Sequence, residues 1–453
     1  MKRRSFIRGT MAVSIGSVMT ASETRAARNP RVESVETKMQ GDQAMAQNAA
    51  HFFNDEDLNY VFLIMLGGTY YRAAEVGECL AIADQITDGD AASVVQALTT
   101  AGERVAALAD KGFAAGQRLS ASQAYMRAAN YIFSATYFLD RMGAPDRFAA
   151  TWLRHQELWD QAAALFDPPM EHVAIPYEGV TLPGFFFTVD GSATRRPLLI
   201  LNNGSDGGMI AAWTLGVAPA LERGYNCLTF YGPGQGTALL HQRLYFRPDW
   251  EKVMTPVVDY ALTRSEVDPA RIALVGISQG GYWAPRAAAF EPRIAAVVAD
   301  PGVWEVGSAW IGKLPQPMRA LLASGRKEQF DQFMHEGVQQ DRKAAAMLTF
   351  RMRPFGFSSP YDTYKAVEQY TLAAIADHIR CPTLITDPEG EQFWPGQSQR
   401  LYDALHAPKS LVKFTAVEGA DLHCEPKTPG LRAQRIFDWL GTTLQGSRQP
   451  LRR

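Results

Sequence analysis

Cysteine is scarce in this chain, and charge of either sign is nearly absent on balance. Only four cysteines, Cys79, Cys227, Cys381 and Cys424, occur in 453 residues. None is spaced as a zinc or redox motif requires, so neither a metal centre nor a disulfide-exchange site is expected. Cys227 falls in an apolar run and reads as a small buried hydrophobe. The formal net charge is −2, which provides no basic footprint for a nucleic-acid partner. No spacing demands a cofactor. Apolar residues at 47% and charged residues at 20% are ordinary for a soluble globular protein. The length leaves room for two or three domains, or for one large domain with insertions.

The N-terminus has the pattern of an address rather than of a fold. Lys2-Arg-Arg-Ser-Phe-Ile-Arg8 carries adjacent arginines, and a weakly apolar stretch from Gly9 to Ala21 follows. That stretch is far shorter than the ~20 residues of a spanning helix, so no stable membrane span is expected. Thr24-Arg-Ala26 before Ala27 offers a small-residue cleavage site. Residues 1–27 therefore read as a twin-arginine signal peptide. They imply passage through the twin-arginine export machinery and a periplasmic or secreted location. Residues 28–47 read as a linker.

From 48 to 168 no strand pattern is evident. Helical periods cover Leu58 to Tyr71, with a break at Gly67-Gly68, then Ala73 to Thr87 and Ala91 to Ala115. In the last of these Val94, Val95, Leu98, Val105 and Leu108 fall near helical spacing. Ser120-Ala-Ser-Gln123 has the form of a capping box and predicts a helix running to about Met142. Asp146 to Leu165 predicts one more, with Trp152 and Trp159 a heptad apart. Most of these aromatics read as bundle core, and some of Tyr70, Tyr71, Tyr125, Arg127 and Tyr131 could face a pocket.

The period changes after Pro168-Pro169. Glu171–Tyr177 and Val180–Val189 predict a hairpin turning at Gly179. Strands are expected at Pro197–Asn202, Tyr225–Phe230, Ile272–Val275, Ile294–Ala299, Pro382–Thr386 and Leu411–Ala416. Helical patterns alternate with the later strands, which implies a mostly parallel sheet covered on both faces.

Chemistry concentrates at Gly276-Ile-Ser-Gln-Gly280. It lies between an apolar strand signal and the helical pattern Tyr282 to Phe290. Strand, G-x-S-x-G and helix in this order make a nucleophile elbow, with Ser278 as the nucleophile. Of eight histidines, only His423 sits on a loop between the last strand and the final helix pattern, Pro429 to Leu444. His51, His155, His172, His241, His335, His378 and His406 lack such a setting. The acid should follow the Pro382 strand, and Asp387, Glu389 and Glu391 all qualify. The order of strands and loops matches the α/β-hydrolase fold, with eight strands. In that fold the residue after the nucleophile, here Gln279, supplies one oxyanion N–H. The loop Asn203–Gly208 supplies the other, from Ser205, with Asp206 or Gly204 as alternatives. The second glycine-rich loop, Gly232–Gly236, lacks the Lys-Ser/Thr of a phosphate cradle and reads as a tight turn near the site.

The mature chain also resembles a narrower group. Ile175-Pro-Tyr-Glu-Gly179, Asn203-Gly-Ser-Asp206, Tyr231-Gly-Pro-Gly-Gln-Gly236, Asp249-Trp-Glu251 and Gly276-Ile-Ser-Gln-Gly280 carry the likeness. They resemble the α/β-hydrolases related to 2,6-dihydroxypseudooxynicotine hydrolase and the fungal polyketide-shortening hydrolases. The resemblance spans about residues 48–445. It implies cleavage of an ester, or of a carbon–carbon bond beside a ketone, in a hydrophobic or aromatic small molecule. In typical relatives a proline lies nine residues before the triad acid and another lies four after. Pro382, Glu391 and Pro395 reproduce this spacing, which favours Glu391. A Glu replaces the usual Asp there, and Tyr231 stands where an acid often precedes Gly-Pro-Gly. An additional acid that assists the nicotine-degrading relative has its nearest counterpart in Glu305.

About 80 residues separate Ala299 from Pro382, more than a crossover needs. They are helical in pattern and rich in aromatics, among them Trp304, Trp310, Phe333, Phe350 and Phe357, as a lid over a hydrophobic substrate would be. The expected organisation is thus a helical cap domain (48–168), a hydrolase core (169–302 and 381–453) and a lid insertion (303–380). A peptidase-like hydrolase is a weaker alternative, because no propeller or N-terminus-binding acids are evident. A non-catalytic binding protein on a hydrolase scaffold is another, and an intact elbow weighs against it. A homodimer stays open.

Overall fold

A computed structural model describes residues 51–339 and 341–446. The export segment, the whole linker and residues 48–50 of the expected cap domain lie outside the described residues. One eight-stranded sheet organises the molecule, in the order β1-β2-β4-β3-β5-β6-β7-β8. The strands are β1 (Glu171–Tyr177), β2 (Val180–Phe187), β3 (Arg196–Asn202), β4 (Asn226–Phe230), β5 (Val267–Ile277), β6 (Ala296–Asp300), β7 (Thr383–Pro388) and β8 (Lys409–Phe414). β1 pairs antiparallel with β2, and β2 with β4. All remaining pairs are parallel. The first hairpin turns at Glu178 and Gly179, both with positive φ (41° and 83°), as a two-residue turn between twisted strands requires.

The central strands are apolar because both their faces are covered. Every residue of β4 and β6 is buried. Alternate side chains serve alternate faces: Leu199 and Leu201 join one buried cluster, Leu198 and Ile200 the other. The first cluster continues without interruption into the N-terminal helices, through Trp152, Leu158 and Trp159, and into the last helix through Ile436, Phe437 and Leu440. The second holds Trp250, which precedes the helix Glu251–Leu262, Val253 and Met254 of that helix, and Tyr282 and Trp283 behind the serine. Helices Ser308–Ile311, Gln316–Ala323, Lys327–Val338, Arg342–Met352 and Pro360–Val367 lie between β6 and β7. They carry a small core of their own, with Leu314, Met318, Leu322, Phe330, Leu348 and Tyr364. Phe333 and Phe357, expected over the substrate, are exposed.

The helical segments depart from expectation in four places. The helix Arg118–Ala135 begins before Ser120, so the capping box does not form. The preceding helix, Ala91–Ala114, ends instead in a glycine cap. Gly116 adopts φ 75°, its N–H donates to Phe113 O at 2.9 Å, and Gln117 N–H donates to Gly112 O at 2.8 Å. This double closure re-enters the helical conformation two residues ahead of the serine. The second departure is at the other end: the helix tightens at Thr136–Phe138 rather than running on to Met142. Third, the Ala73–Thr87 pattern yields only Val76–Ala83. Fourth, Leu108 is exposed although its neighbours Val105 and Ala109 are buried.

One buried histidine makes the fold acid-sensitive. His155 is fully buried; its Nδ1–H donates to the Ala129 carbonyl at 3.0 Å, and Nε2 has no partner. Burial lowers its pKa from the ordinary 6.5 to about 4. Between those values the unfolded chain binds the proton and the folded chain does not, so stability falls as pH drops through this window. At about 1.4 kcal/mol per pH unit, His155 should cost on the order of 3 kcal/mol by pH 4. Urea unfolding of wild type and His155→Gln at pH 7 and pH 4.5 checks this. Equal acid losses in the two proteins would reject it.

Candidate active site

The serine stands where strand becomes helix. β5 ends at Ile277, Ser278 adopts φ 58°, and the helix Gly280–Ala288 begins at once. That φ is strained for a residue with a side chain. The turn holds because its flanks are glycine. A Cβ on Gly276 would lie 2.0 Å from Gly280 O, and one on Gly280 would lie 2.7 Å from Asn202 O. Ser278 N–H donates to Asp300 O at 2.7 Å, which ties the elbow to the end of β6.

Two loops meet this serine. After β8 the chain brings His423 Nε2 to 2.9 Å from Ser278 Oγ. After β7 it brings Glu391 to the other ring nitrogen, with Oε2 at 2.8 Å and Oε1 at 3.0 Å from Nδ1. A carboxylate at Nδ1 keeps the proton there and leaves Nε2 free to accept from the serine hydroxyl. Both side chains are only 5% exposed. Burial alone would push the Glu391 carboxyl up. The facing imidazole, with the N–H groups of Phe393 (2.8 Å) and Trp394 (3.0 Å), holds it below its ordinary range instead. Asp387 remains in β7 opposite Lys413 and makes no hydrogen bond to His423. Glu389 is occupied by the Ala416 N–H at 2.9 Å.

Partners that the sequence did not single out hold His423 in place. Its N–H donates to Gln392 Oε1 at 3.0 Å, and its carbonyl accepts from Tyr60 Oη at 2.8 Å. Phe393 lies edge-on to the ring at 4.7 Å. Tyr60 belongs to the N-terminal helix Glu56–Gly67, so that region reaches the site directly.

The loop Asn203–Gly208 lies against the serine. Gln235 donates to Asn203 O (2.9 Å) and Gly204 O (2.6 Å), and Trp250 donates to Asn202 Oδ1 at 2.6 Å. The expected turn at Gly232–Gly236 thus serves to clamp this loop. Asn203 Oδ1 takes the Gly204 N–H at 2.9 Å, which removes Gly204 as a donor to anything else. No partner among the described residues takes the N–H of Ser205 or of Gln279, and both residues line the pocket beside Ser278.

That pocket has three walls. Thr136, Tyr137 and Trp152 come from the N-terminal helices, Leu239 and Phe246 from the segment after β4, and Trp310, Phe350, Arg351 and Arg353 from the helices between β6 and β7. Ser205, Asp206 and Gln279 form its floor. Arg353 stacks on Phe148 and pairs with Asp140 at 2.6 Å. Of the five residues expected to be able to face a pocket, none does. Tyr125 bonds Asp110, Arg127 and Tyr131 bond Glu78, Tyr71 is buried and Tyr70 points to solvent. Tyr137, which carried no local signal, lines it instead. Glu305 is paired with Arg400 at 2.8 Å outside the pocket lining. Tyr231 is buried and donates to Gln156 at 2.7 Å, joining the sheet to the helices. No group of three His, Cys, Asp or Glu among the described residues is placed to hold a metal ion.

A model of the alpha/beta hydrolase family matches residues 182–435. The chain belongs to that family. It is 32% identical to hydrolase LUC6 of a Fusarium species, over 85% of this chain and 96% of that one. It is 29% identical to 20-hydroxy-prefusarin hydrolase FUS2 of Gibberella moniliformis, over 88% and 99%. The crystal structure of 2,6-dihydroxy-pseudo-oxynicotine hydrolase superposes with a TM-score of 0.67 at 20% identity, covering 84% of this chain and 96% of that one. The hydrolase has the eight-stranded, mostly parallel sheet and N-terminal helical region of this fold.

Proposed function

We propose that this hydrolase is a serine enzyme in which Ser278, His423 and Glu391 form the catalytic triad. The observation that carries the reading is the unbroken line Ser278 Oγ–His423–Glu391, at 2.9 and 2.8 Å. Ser278 Oγ attacks a carbonyl carbon as its proton passes to His423 Nε2, and Glu391 stabilises the imidazolium. The N–H groups of Gln279 and Ser205 receive the oxyanion. Collapse expels an alkoxide or a stabilised carbanion, which takes the proton from His423. Water, deprotonated by His423, then releases the acyl group. The apolar pocket suits a hydrophobic or aromatic ester or ketone. The motifs Asn203-Gly-Ser-Asp206, Tyr231-Gly-Pro-Gly-Gln-Gly236 and Gly276-Ile-Ser-Gln-Gly280, through the group they resemble, favour a carbon–carbon bond beside a ketone as the scissile one.

A fluorophosphonate probe followed by peptide mapping tests the nucleophile. Label on Ser278 is expected, and an unlabelled protein sinks the proposal. Glu391→Gln tests the acid. A glutamine amide directed at Nδ1 would favour the wrong tautomer, so kcat should fall by about 10³–10⁴. A loss below tenfold would transfer the role to another carboxylate.

A further inference from the structure

The floor of the pocket contains polar groups that the triad and its oxyanion donors leave unused. The Gln279 carboxamide is distinct from the backbone N–H of the same residue. Gln279 is 3% exposed, and its Nε2 has no hydrogen-bond partner. Among buried side-chain atoms left unpartnered in the described residues, this is the only one that belongs to a residue lining the pocket. Trp159 Nε1 and Trp283 Nε1 sit in the packed core, and none of the remaining ones belongs to a residue lining the pocket. An unmade buried hydrogen bond is costly, and a ligand atom can remove that cost when it arrives.

Beside it the floor and the adjoining wall carry a matching pair. Asp206 and Tyr137 both line the pocket, with the phenol close to the carboxyl. Asp206 also accepts from Ser205 Oγ at 3.3 Å. Burial pushes the Asp206 carboxyl up and opposes its ionisation. Asp206 follows Ser205, and Gln279 follows Ser278, so both groups stand one residue from the reacting centre.

Resting on the serine-hydrolase reading, we propose that the Gln279 carboxamide and the Asp206–Tyr137 pair form a subsite for a hydroxyl on the acyl part of the substrate. The hydroxyl accepts from Gln279 Nε2 and donates to Asp206, and Tyr137 orients the carboxyl. The substrate class is then a hydroxylated aryl or enolic acyl compound rather than a plain hydrocarbon one. This is recognition alone; no bond to the hydroxyl forms or breaks. A site built to hydrogen-bond a hydroxyl discriminates strongly against the analogue lacking it, because its own groups are then left unpaired.

The test compares p-nitrophenyl benzoate with the three isomeric p-nitrophenyl hydroxybenzoates. Each kcat/KM is divided by the ester's spontaneous hydrolysis rate. Wild type should prefer at least one hydroxy isomer by roughly 10–100-fold. Gln279→Leu and Asp206→Leu should each reduce that ratio to near one. A merely structural role would lower all four substrates together and leave the ratio standing. Gln279→Glu, which keeps the shape and loses the donor, serves if the leucine variant does not fold; fluorophosphonate labelling of Ser278 reports folding in each. Absence of any hydroxy preference in wild type, or its survival in the Gln279 variants, overturns the subsite. If wild-type Ser278 takes no label, the failure belongs to the hydrolase reading instead.

Discussion

Ser278→Ala is expected to lower kcat by about 10⁴–10⁶, equivalent to roughly 5–8 kcal/mol of transition-state stabilisation. In the proposed triad the oxygen removed is the nucleophile itself, and His423 Nε2, 2.9 Å away, then has no proton to accept from it. Binding and oxyanion donation survive, so some rate above water should remain. The fold should survive as well, because φ 58° at position 278 is held by the glycines on each side and by the Asp300 carbonyl. Ser278→Gly should be equally inactive yet more stable by about 1 kcal/mol, since glycine adopts that φ without strain. Steady-state hydrolysis of a p-nitrophenyl ester, with thermal melts of all three proteins, checks both halves. Retention of more than about 1% of activity in the alanine protein would show that another group attacks.

Arg432→Met is expected to destabilise the protein by about 3–5 kcal/mol. Arg432 lies in the final helix, Pro429–Gly446, and is 1% exposed. Its Nε donates to Asp300 Oδ2 at 2.6 Å, and Glu425 Oε2 lies 3.5 Å away. Asp300 and Glu425 are both fully buried. Removing the guanidinium takes the cation away from two buried carboxyls and leaves Asp300 the Thr386 hydroxyl, at 2.6 Å. Activity should fall too. The Asp300 carbonyl receives the Ser278 N–H and, at 3.5 Å, the Cys424 thiol beside His423. Glu425 makes the contrast. Burial, with Asp300 close by, pushes its carboxyl well above the ordinary range, so the folded protein keeps a proton that the unfolded chain releases. Stability therefore falls as pH rises above the ordinary glutamate value. Glu425→Gln, neutral throughout, should cost little at pH 5 and gain on wild type by pH 8. Urea unfolding at the two pH values measures each difference. An Arg432→Met protein within about 1 kcal/mol of wild type would show that the cluster is dispensable.

The chain declared some parts of itself plainly and concealed others. Strands were legible because an apolar run of four to eight residues admits few other readings. The elbow was legible because its strain is local: serine at a positive φ needs small neighbours within two residues, and Gly276 and Gly280 each lie two residues from Ser278. Glu391 stood out through proline spacing, although Asp387 and Glu389 were equally good carboxylates until the loops were folded. The helix starting at Arg118 was misjudged because the glycine cap at Gly116 outcompeted a capping box that looked equally local. The tyrosines were illegible for a different reason. Tyr125, Tyr131 and Tyr137 share one helical stretch, and a small rotation separates a bundle contact from a pocket wall.

Patterns of short range, such as hydrophobic period, turn glycines and the order of Ser278, Glu391 and His423 along the chain, are properties of neighbouring residues and can be read without coordinates. Contacts between distant segments cannot. Tyr60 is 363 residues from the His423 carbonyl it holds, and Arg432 is 132 from Asp300. The pocket brings Gln279, Tyr137 and Asp206 together from three separate segments. Closing loops of that length is entropically costly and is repaid by packing over the whole core, so no local preference records which partners will meet. The hydrolase scaffold was therefore written in the sequence, whereas the surroundings of the serine exist only once the helices and sheet have come together.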